Sequence, residues 1–376
     1  MRPLLLPLVP GRRSAPLPRM LLVLAALAGA LQAGGCAYKD IDKRSFVVAM
    51  GVDRSGDPAR PLRVTLKIAI PTADIKSGEN RFLLLTADGR LIAEAVHRLQ
   101  GMNENAFDFS HTKLIFIGRD LAEDRPLRET LDWFIRMETI QGIALVALAE
   151  PSAEAALRVS PPMERLPSNS LFTALDGSGT LSPYITHAYL FDVVRRLYEP
   201  GLDPILPLVE AAGKKAFRIE RSGLFDKSRL RLVLSPEETE WLNFLRGETA
   251  NVDFVFGRDR LYFQADPNRA RTRLTVESRG RTLRLVVDVE LYGSIDERQK
   301  ETAALPAITR AIEADVKTRT ESLLRRLQEA GVDPLGLGLR AAARGLASGD
   351  PEAVIRSLDF TVRTHIVVYE TGNVLR

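Results

Sequence analysis

Two neighbouring stretches, 283-LRLVVDVEL-291 and 308-ITRAIEADVKTRTESLLRRL-327, decide the fold class. In the first, Leu283, Leu285, Val287, Val289 and Leu291 fall at every second position. That is the pattern of a strand with one buried face. In the second, Ile308, Ile312, Val316, Leu323, Leu324 and Leu327 fall at helical spacing and stripe one helix face over about six turns. Neither element can bury its apolar side alone. The helix is therefore expected to pack on the sheet that contains the strand.

Upstream of this pair, Val252, Phe254 and Phe256 alternate, as do Leu261 with Phe263 and Leu274 with Val276. Residues 216–224 and 228–233 read as a hairpin, and 360–369 as a last strand. The second half is thus an α+β domain, an antiparallel-rich sheet packed by one long helix.

The first half mixes strands and helices at closer intervals. Strands are expected at 45–52, at 62–70 (Leu62, Val64, Leu66, Ile68, Ile70), at 81–86, at 111–117 and at 142–148. Helical spacing is seen in Ile92, Ala95, Val96 and Leu99, and again in Leu127, Leu131, Phe134 and Ile135. For the second of these helices, Asp124 is the expected N-cap, with Pro126 in the first turn. Shorter helices are expected at 153–159, 170–176 and 186–198. Residues 160–170, rich in Pro and Ser, read as a connector, and 176–179 (DGSG) as a loop. Pro200-Gly201 closes this half and Asp203-Pro204 opens the next.

The 376 residues are 45% hydrophobic and 27% charged, a globular balance that excludes a disordered chain or a polytopic membrane protein. The net charge of +4 resides in the leader, because residues 1–35 hold Arg2, Arg12, Arg13 and Arg19 and no acid. The remaining body is neutral, so no nucleic-acid footprint is expected.

The leader has arginines, then the apolar run 20-MLLVLAALAGAL-31, then Ala33-Gly34-Gly35-Cys36. The run is shorter than the roughly 20 residues that a membrane-spanning helix needs. Charge, a short apolar run and small residues together describe an export signal. A cysteine directly after the small residues resembles a lipobox, in which the thiol takes a diacylglyceryl group. Residues 1–35 are therefore read as a lipoprotein signal peptide and Cys36 as the lipidation site. A start at Met20 would strip the signal of its charge, so Met1 is the expected start. The mature chain is divided at residue 205, into 36–205 and 206–376.

A catalytic constellation is not legible. The four histidines, His97, His111, His187 and His365, lack the spacing of zinc ligands, and Cys36 is the only cysteine. Asp108, Ser110 and His111 are the residue types of a hydrolase triad. Adjacent positions entering a strand, however, point to opposite faces, whereas a triad gathers distant segments. Gly336-Leu337-Gly338 lacks the third glycine and the preceding strand of a dinucleotide loop. No cofactor, no metal and no enzymatic activity are expected. One charge cluster stands out. Between Arg258 and Arg284 lie eight arginines against Asp259, Asp266 and Glu277, with Arg269, Arg271 and Arg273 expected on one strand face. Such a face could meet anionic headgroups or an acidic partner, or it could simply be solvated.

Landmarks in order along the chain resemble the spore germination receptor C-subunit family, the Ger(x)C lipoproteins. They are Cys36; 46-FVVAMGVD-53; 109-FSHTKLIFIG-118; 200-PGLDPILP-207; 223-GLFD-226; 234-LSPEE-238; and 333-DPLGLG-338 at the end of the long helix. This chain has Ala37-Tyr38 where many members carry Trp-Asp. The resemblance implies three small mixed α/β domains. It also implies a non-enzymatic, lipid-anchored C subunit on the outer face of the spore inner membrane. There it would scaffold the polytopic A and transporter-like B subunits of a nutrient germinant receptor. The rival reading is a lipoprotein that delivers a solute to a transporter. The antiparallel runs of the second half speak against the two doubly wound lobes of such proteins.

Overall fold

The computed structural model describes residues 43–70, 82–162, 168–177, 182–250, 252–256, 261–280, 282–298, 304–346 and 349–370. The leader and Cys36 lie outside them, as do Arg81, residues 163–167 of the connector and Ser178-Gly179 of the loop. The folded body begins at Ser45.

The first sheet is built from β1 (Arg44–Arg54), β2 (Leu62–Ala69), β3 (Phe82–Gly89), β4 (Ala106–Asp108), β5 (Leu114–Gly118), β6 (Leu145–Glu150), β7 (Ile205–Ala212), β8 (Ala216–Phe225) and β9 (Leu230–Val233). Its order is β3-β2-β1-β5-β6-β7-β8-β9, with β4 beside β1. The central strands β1, β5, β6 and β7 are parallel, and the flanks are antiparallel. Strands covered on both faces lose their alternation, and all five residues of β5, LIFIG, are buried. Helices α1 (Ile92–Gln100), α2 (Arg119–Asp124) and α3 (Leu127–Arg136) cover one face. Helices α4 (Ala153–Arg158) and α5 (Asn169–Asp176) cover the other. Helix α6 (Leu190–Tyr198) joins the first face.

Two local expectations are corrected, and a third observation bears on the chain around position 205. Asp124 ends α2 and pairs with Arg54, while Pro126, not a carboxylate, occupies the N-cap of α3. Residues 186–189 are not helical. Ala188 O accepts from Val146 N at 2.8 Å, and Leu190 N donates to Ala144 O at 2.8 Å, so the chain runs as a short strand-like bridge before α6. The sheet also continues past position 205. Strands β7, β8 and β9 carry its hydrogen bonding on to Val233.

The second sheet holds β10 (Asp253–Phe256), β11 (Leu261–Ala265), β12 (Arg271–Arg279), β13 (Thr282–Arg298) and β14 (Asp359–Glu370). At 17 residues β13 is the spine, pairing antiparallel with β11 and β12 and parallel with β14. Parallel neighbours need a crossover, and helix α8 (Leu305–Ala330) provides it. Leu285, Val287, Val289 and Leu291 share one apolar cluster with Ile308, Ile312, Val316, Leu323, Leu324 and Leu327, as the periodicities predict.

Helix α7 (Pro236–Arg246) completes that cluster through Trp241, Leu242, Phe244 and Leu245. The indole Nε1 of Trp241 donates to Thr320 Oγ1 of α8 at 3.0 Å. Two short helices, α9 (Leu337–Ala343) and α10 (Val354–Ser357), close the path to β14.

Candidate functional site

Several of the sequence landmarks turn out to be structural joints. Asp53, at the end of 46-FVVAMGVD-53, is 6% exposed. It accepts from Ala153 N at 2.6 Å and Glu154 N at 2.9 Å, and so caps α4 from a neighbouring strand. Burial pushes its pKa up, and the two amide bonds oppose that. Gly118, which ends 109-FSHTKLIFIG-118, leaves the space that the Asp53 carboxylate occupies. The 234-LSPEE-238 stretch is a capping box. Ser235 Oγ accepts from Glu238 N at 3.2 Å, and Glu238 Oε2 accepts from Ser235 N at 2.9 Å. This S-x-x-E signal announces α7 and was readable in the sequence.

The landmarks 200-PGLDPILP-207 and 333-DPLGLG-338 form one interlock. Asp203 N donates to Asp333 O at 2.8 Å, and Asp333 N returns a 2.7 Å bond to Asp203 Oδ2. Asp333 Oδ2 accepts from Gly338 N at 2.8 Å, while its Oδ1 is buried with no hydrogen-bond partner. Gly201 sits at φ +72°, and a Cβ there would approach Leu339 N to 2.6 Å. A Cβ at Gly338 would collide with the Pro351 carbonyl oxygen. These contacts explain the glycines through steric closeness.

Two cations seal the interlock. Lys227 Nζ donates to the carbonyls of Arg196, Glu199 and Leu202, each at 2.6 Å. Arg196 Nη1 reaches the carbonyls of Asp203 and Pro334, both at 3.3 Å. Burial pushes Asp203 upward and Asp333 up to about 6.

The triad types at 108–111 do come together, but as a turn. Ser110 Oγ donates to Asp108 Oδ1 at 2.5 Å and lies 3.0 Å from His111 Nδ1. Ser110 N bonds the same carboxylate oxygen at 2.9 Å. The acid thus holds the hydroxyl in an Asx-type turn, whereas in a triad it would orient the base. The neighbours face each other because β5 starts at Leu114, so both lie before the strand. His187 Nδ1 lies 2.9 Å from Leu175 O, and His365 packs edge-on to Tyr292. Among the described residues no cluster of three or more His, Cys, Asp or Glu could hold a metal.

Part of the arginine cluster lies on a sheet face that also carries acids. Arg271 and Arg273 leave β12 on the side away from α8, with Glu290 and Asp288 of β13 opposite them. Beyond lie His365 and Arg363 of β14, and Arg363 is 3.8 Å from Asp288. Arg269 precedes the strand and covers the Tyr292 ring at 4.0 Å. Arg258, Arg260 and Arg281 lie outside the described residues.

A groove that sequence reasoning missed lies at the strand ends of the first sheet. Its volume is about 270 Å³, and Phe46, Val48, Ala69, His111, Lys113 and Ser168 line it. The sequence signals there were the 46–53 landmark, with Phe46 and Val48, and the 109–118 landmark, with His111 and Lys113.

The comparisons with known proteins agree with this architecture. Residues 37–211 match the family described as spore germination protein N-terminal domain. Residues 220–368 match that described as spore germination B3/GerAC like, C-terminal. YfkR of Bacillus subtilis (strain 168), named for spore germination, is 24% identical over 94% of this chain and 96% of its own. Spore germination protein KC of the same organism is 21% identical, over 85% of this chain and 86% of that one. The crystal structure of the GerBC protein superimposes with a TM-score of 0.56 at 14% identity, over 85% of this chain and 96% of that one. The chain, with both halves matched in order, is a member of the Ger(x)C family of spore germination proteins, with its mixed α+β, multi-domain fold.

Proposed function

We propose that this protein is the C subunit of a nutrient germinant receptor, attached by an acylated Cys36 to the outer face of the spore inner membrane. Its work there is scaffolding. The body holds the polytopic A and transporter-like B subunits together through protein surfaces, without a catalytic step.

The carrying observation is the family match over nearly the whole mature chain, in both halves and in order. Two features support it. The landmark residues are spent on joints that tie distant segments of the body together, as a scaffold requires. No helix among the described residues is long and apolar enough to cross a membrane, so attachment by a lipid fits the export signal and Cys36.

The test is a deletion of residues 36–376 in a strain that retains this receptor alone. Spores should stop responding to its nutrient, and should still germinate with calcium dipicolinate or dodecylamine. The A and B subunits should fall in abundance in the inner membrane. Loss of both germination routes would point to a general spore defect. Normal germination with impaired solute uptake in growing cells would favour delivery to a transporter.

A further inference from the structure

The strand ends nearest the chain's entry carry a surface of unusual composition. Register places Phe46 and Val48 of β1, the end of β2, the start of β3 and Lys113 just before β5 along one edge. Residues 142–144 and 188–191 continue it past β6. At roughly 4.8 Å per strand the edge is about 24 Å long.

Four large apolar side chains are exposed along it: Ile70 (44%), Leu83 (40%), Ile143 (62%) and Phe191 (55%). Water-facing apolar groups gathered on one rim need a partner to justify them.

The groove opens in the same edge. Lys113 and His111 are both exposed at its rim; the Lys113 ammonium supplies positive charge there and also rests over the Phe172 ring at 4.6 Å. The N-terminus of α5 meets the groove at Ser168 and Asn169, and no side chain caps it. Ser168 is 3% exposed, and its hydroxyl is buried with no hydrogen-bond partner. A helix N-terminus, the Lys113 ammonium and an unanswered hydroxyl suit an anionic oxygen such as a phosphate. The walls, Phe46, Val48 and Ala69, suit hydrocarbon.

We propose that this edge of the first sheet lies on an anionic lipid surface, with the exposed apolar side chains at headgroup depth and a lipid phosphate in the groove. The inference rests on the proposed acylation of Cys36. Ten residues separate Cys36 from Phe46, a reach of at most about 36 Å, so the anchor keeps this edge close to the bilayer. The opposite strand ends, at the 55–61 turn, lie a strand length further away.

The test uses the full chain, recovered from membranes and placed in vesicles of phosphatidylglycerol and phosphatidylethanolamine. Acylation occupies the only native thiol, so Ile143→Cys, Phe191→Cys and, as control, Arg60→Cys each offer one free thiol for an environment-sensitive fluorophore. Nitroxides on the lipid headgroups should quench the probe at positions 143 and 191 and leave position 60 bright. Adding Lys113→Glu should lower the quenching at 191 in these vesicles. Replacing the phosphatidylglycerol with a zwitterionic lipid should lower it as well. Equal, weak quenching at all three positions in acylated, vesicle-bound protein overturns this inference alone. Thiol labelling of the unsubstituted chain at Cys36 overturns the anchor reading and the inference together.

Discussion

Replacing Asp333 with Asn tests the interlock between 200–207 and 333–338. The side chain is 1% exposed, one oxygen has no partner, and burial pushes its pKa up to about 6. An unfolded chain would return it to about 3.9. The folded state therefore binds the proton more tightly, and this group subtracts stability as pH rises from about 4 through about 6. Two pH units at 1.36 kcal/mol each amount to roughly 3 kcal/mol.

Asn keeps the shape and a carbonyl oxygen for the Gly338 amide, and carries no charge at any pH. At pH 4 the Asp333→Asn protein should match the parent. By pH 7 it should be the more stable by up to about 3 kcal/mol, because a desolvated, half-satisfied charge is gone. Urea denaturation at half-unit pH steps reads this directly; titrations remote from the joint cancel in the difference between the two curves, and the coupled carboxylate of Asp203 is part of what the difference reads. Curves that stay parallel from pH 4 to pH 7 would refute the assignment of a buried, ionising carboxylate at this joint.

Three further outcomes follow from other parts of the molecule. Leu285→Asp puts an unpaired carboxylate among side chains of β13 and α8 that are nearly all buried, and should cost roughly 3–5 kcal/mol in the same denaturation assay; an unchanged midpoint would contradict the packing. Gly338→Ala drives a methyl into the Pro351 carbonyl, so the melting temperature should fall by several degrees, whereas Ala at Gly213, where no atom lies within 4 Å, should be felt only through its positive φ. Cys36→Ala should release the protein from the membrane fraction, and mass spectrometry of the parent should find Cys36 acylated rather than as a free thiol.

The second half was the more legible one because its layers are simple. One sheet face meets a helix and the other meets solvent. The alternation of Leu283 to Leu291 and the stripe from Ile308 to Leu327 therefore survive unmixed in the sequence. The first sheet has helices on both faces, and its central strands read as continuous apolar runs whose ends carry no periodic signal. That is why β5 was expected to begin at His111 and begins at Leu114, and why β7, 205-ILPLVEAA-212, went unread. Helix α7 hid for another reason. It is buried nearly all round, from Thr239 to Leu245, so it has no polar stripe to set its period, and only its capping box marks it.

The site was less legible than the fold, and the reason is physical. A catalytic centre advertises itself through residue types that chemistry demands, whereas a joint can be made of anything that fits. Asp203 and Asp333 lie 130 positions apart, and each alone reads as a turn-former before proline. Only the fold reveals that Asp203 and Asp333 exchange hydrogen bonds, one between backbones and one to the Asp203 carboxylate, that Lys227 donates to carbonyls at and just past the end of α6, and that Gly201 and Gly338 permit the approach. The same contacts say how the two sheets are connected. The path from β7 back to α6 and the path out of α8 are clamped at one point, by groups whose bonds point inward. A force on either sheet would therefore meet a coupled body rather than two beads on a string.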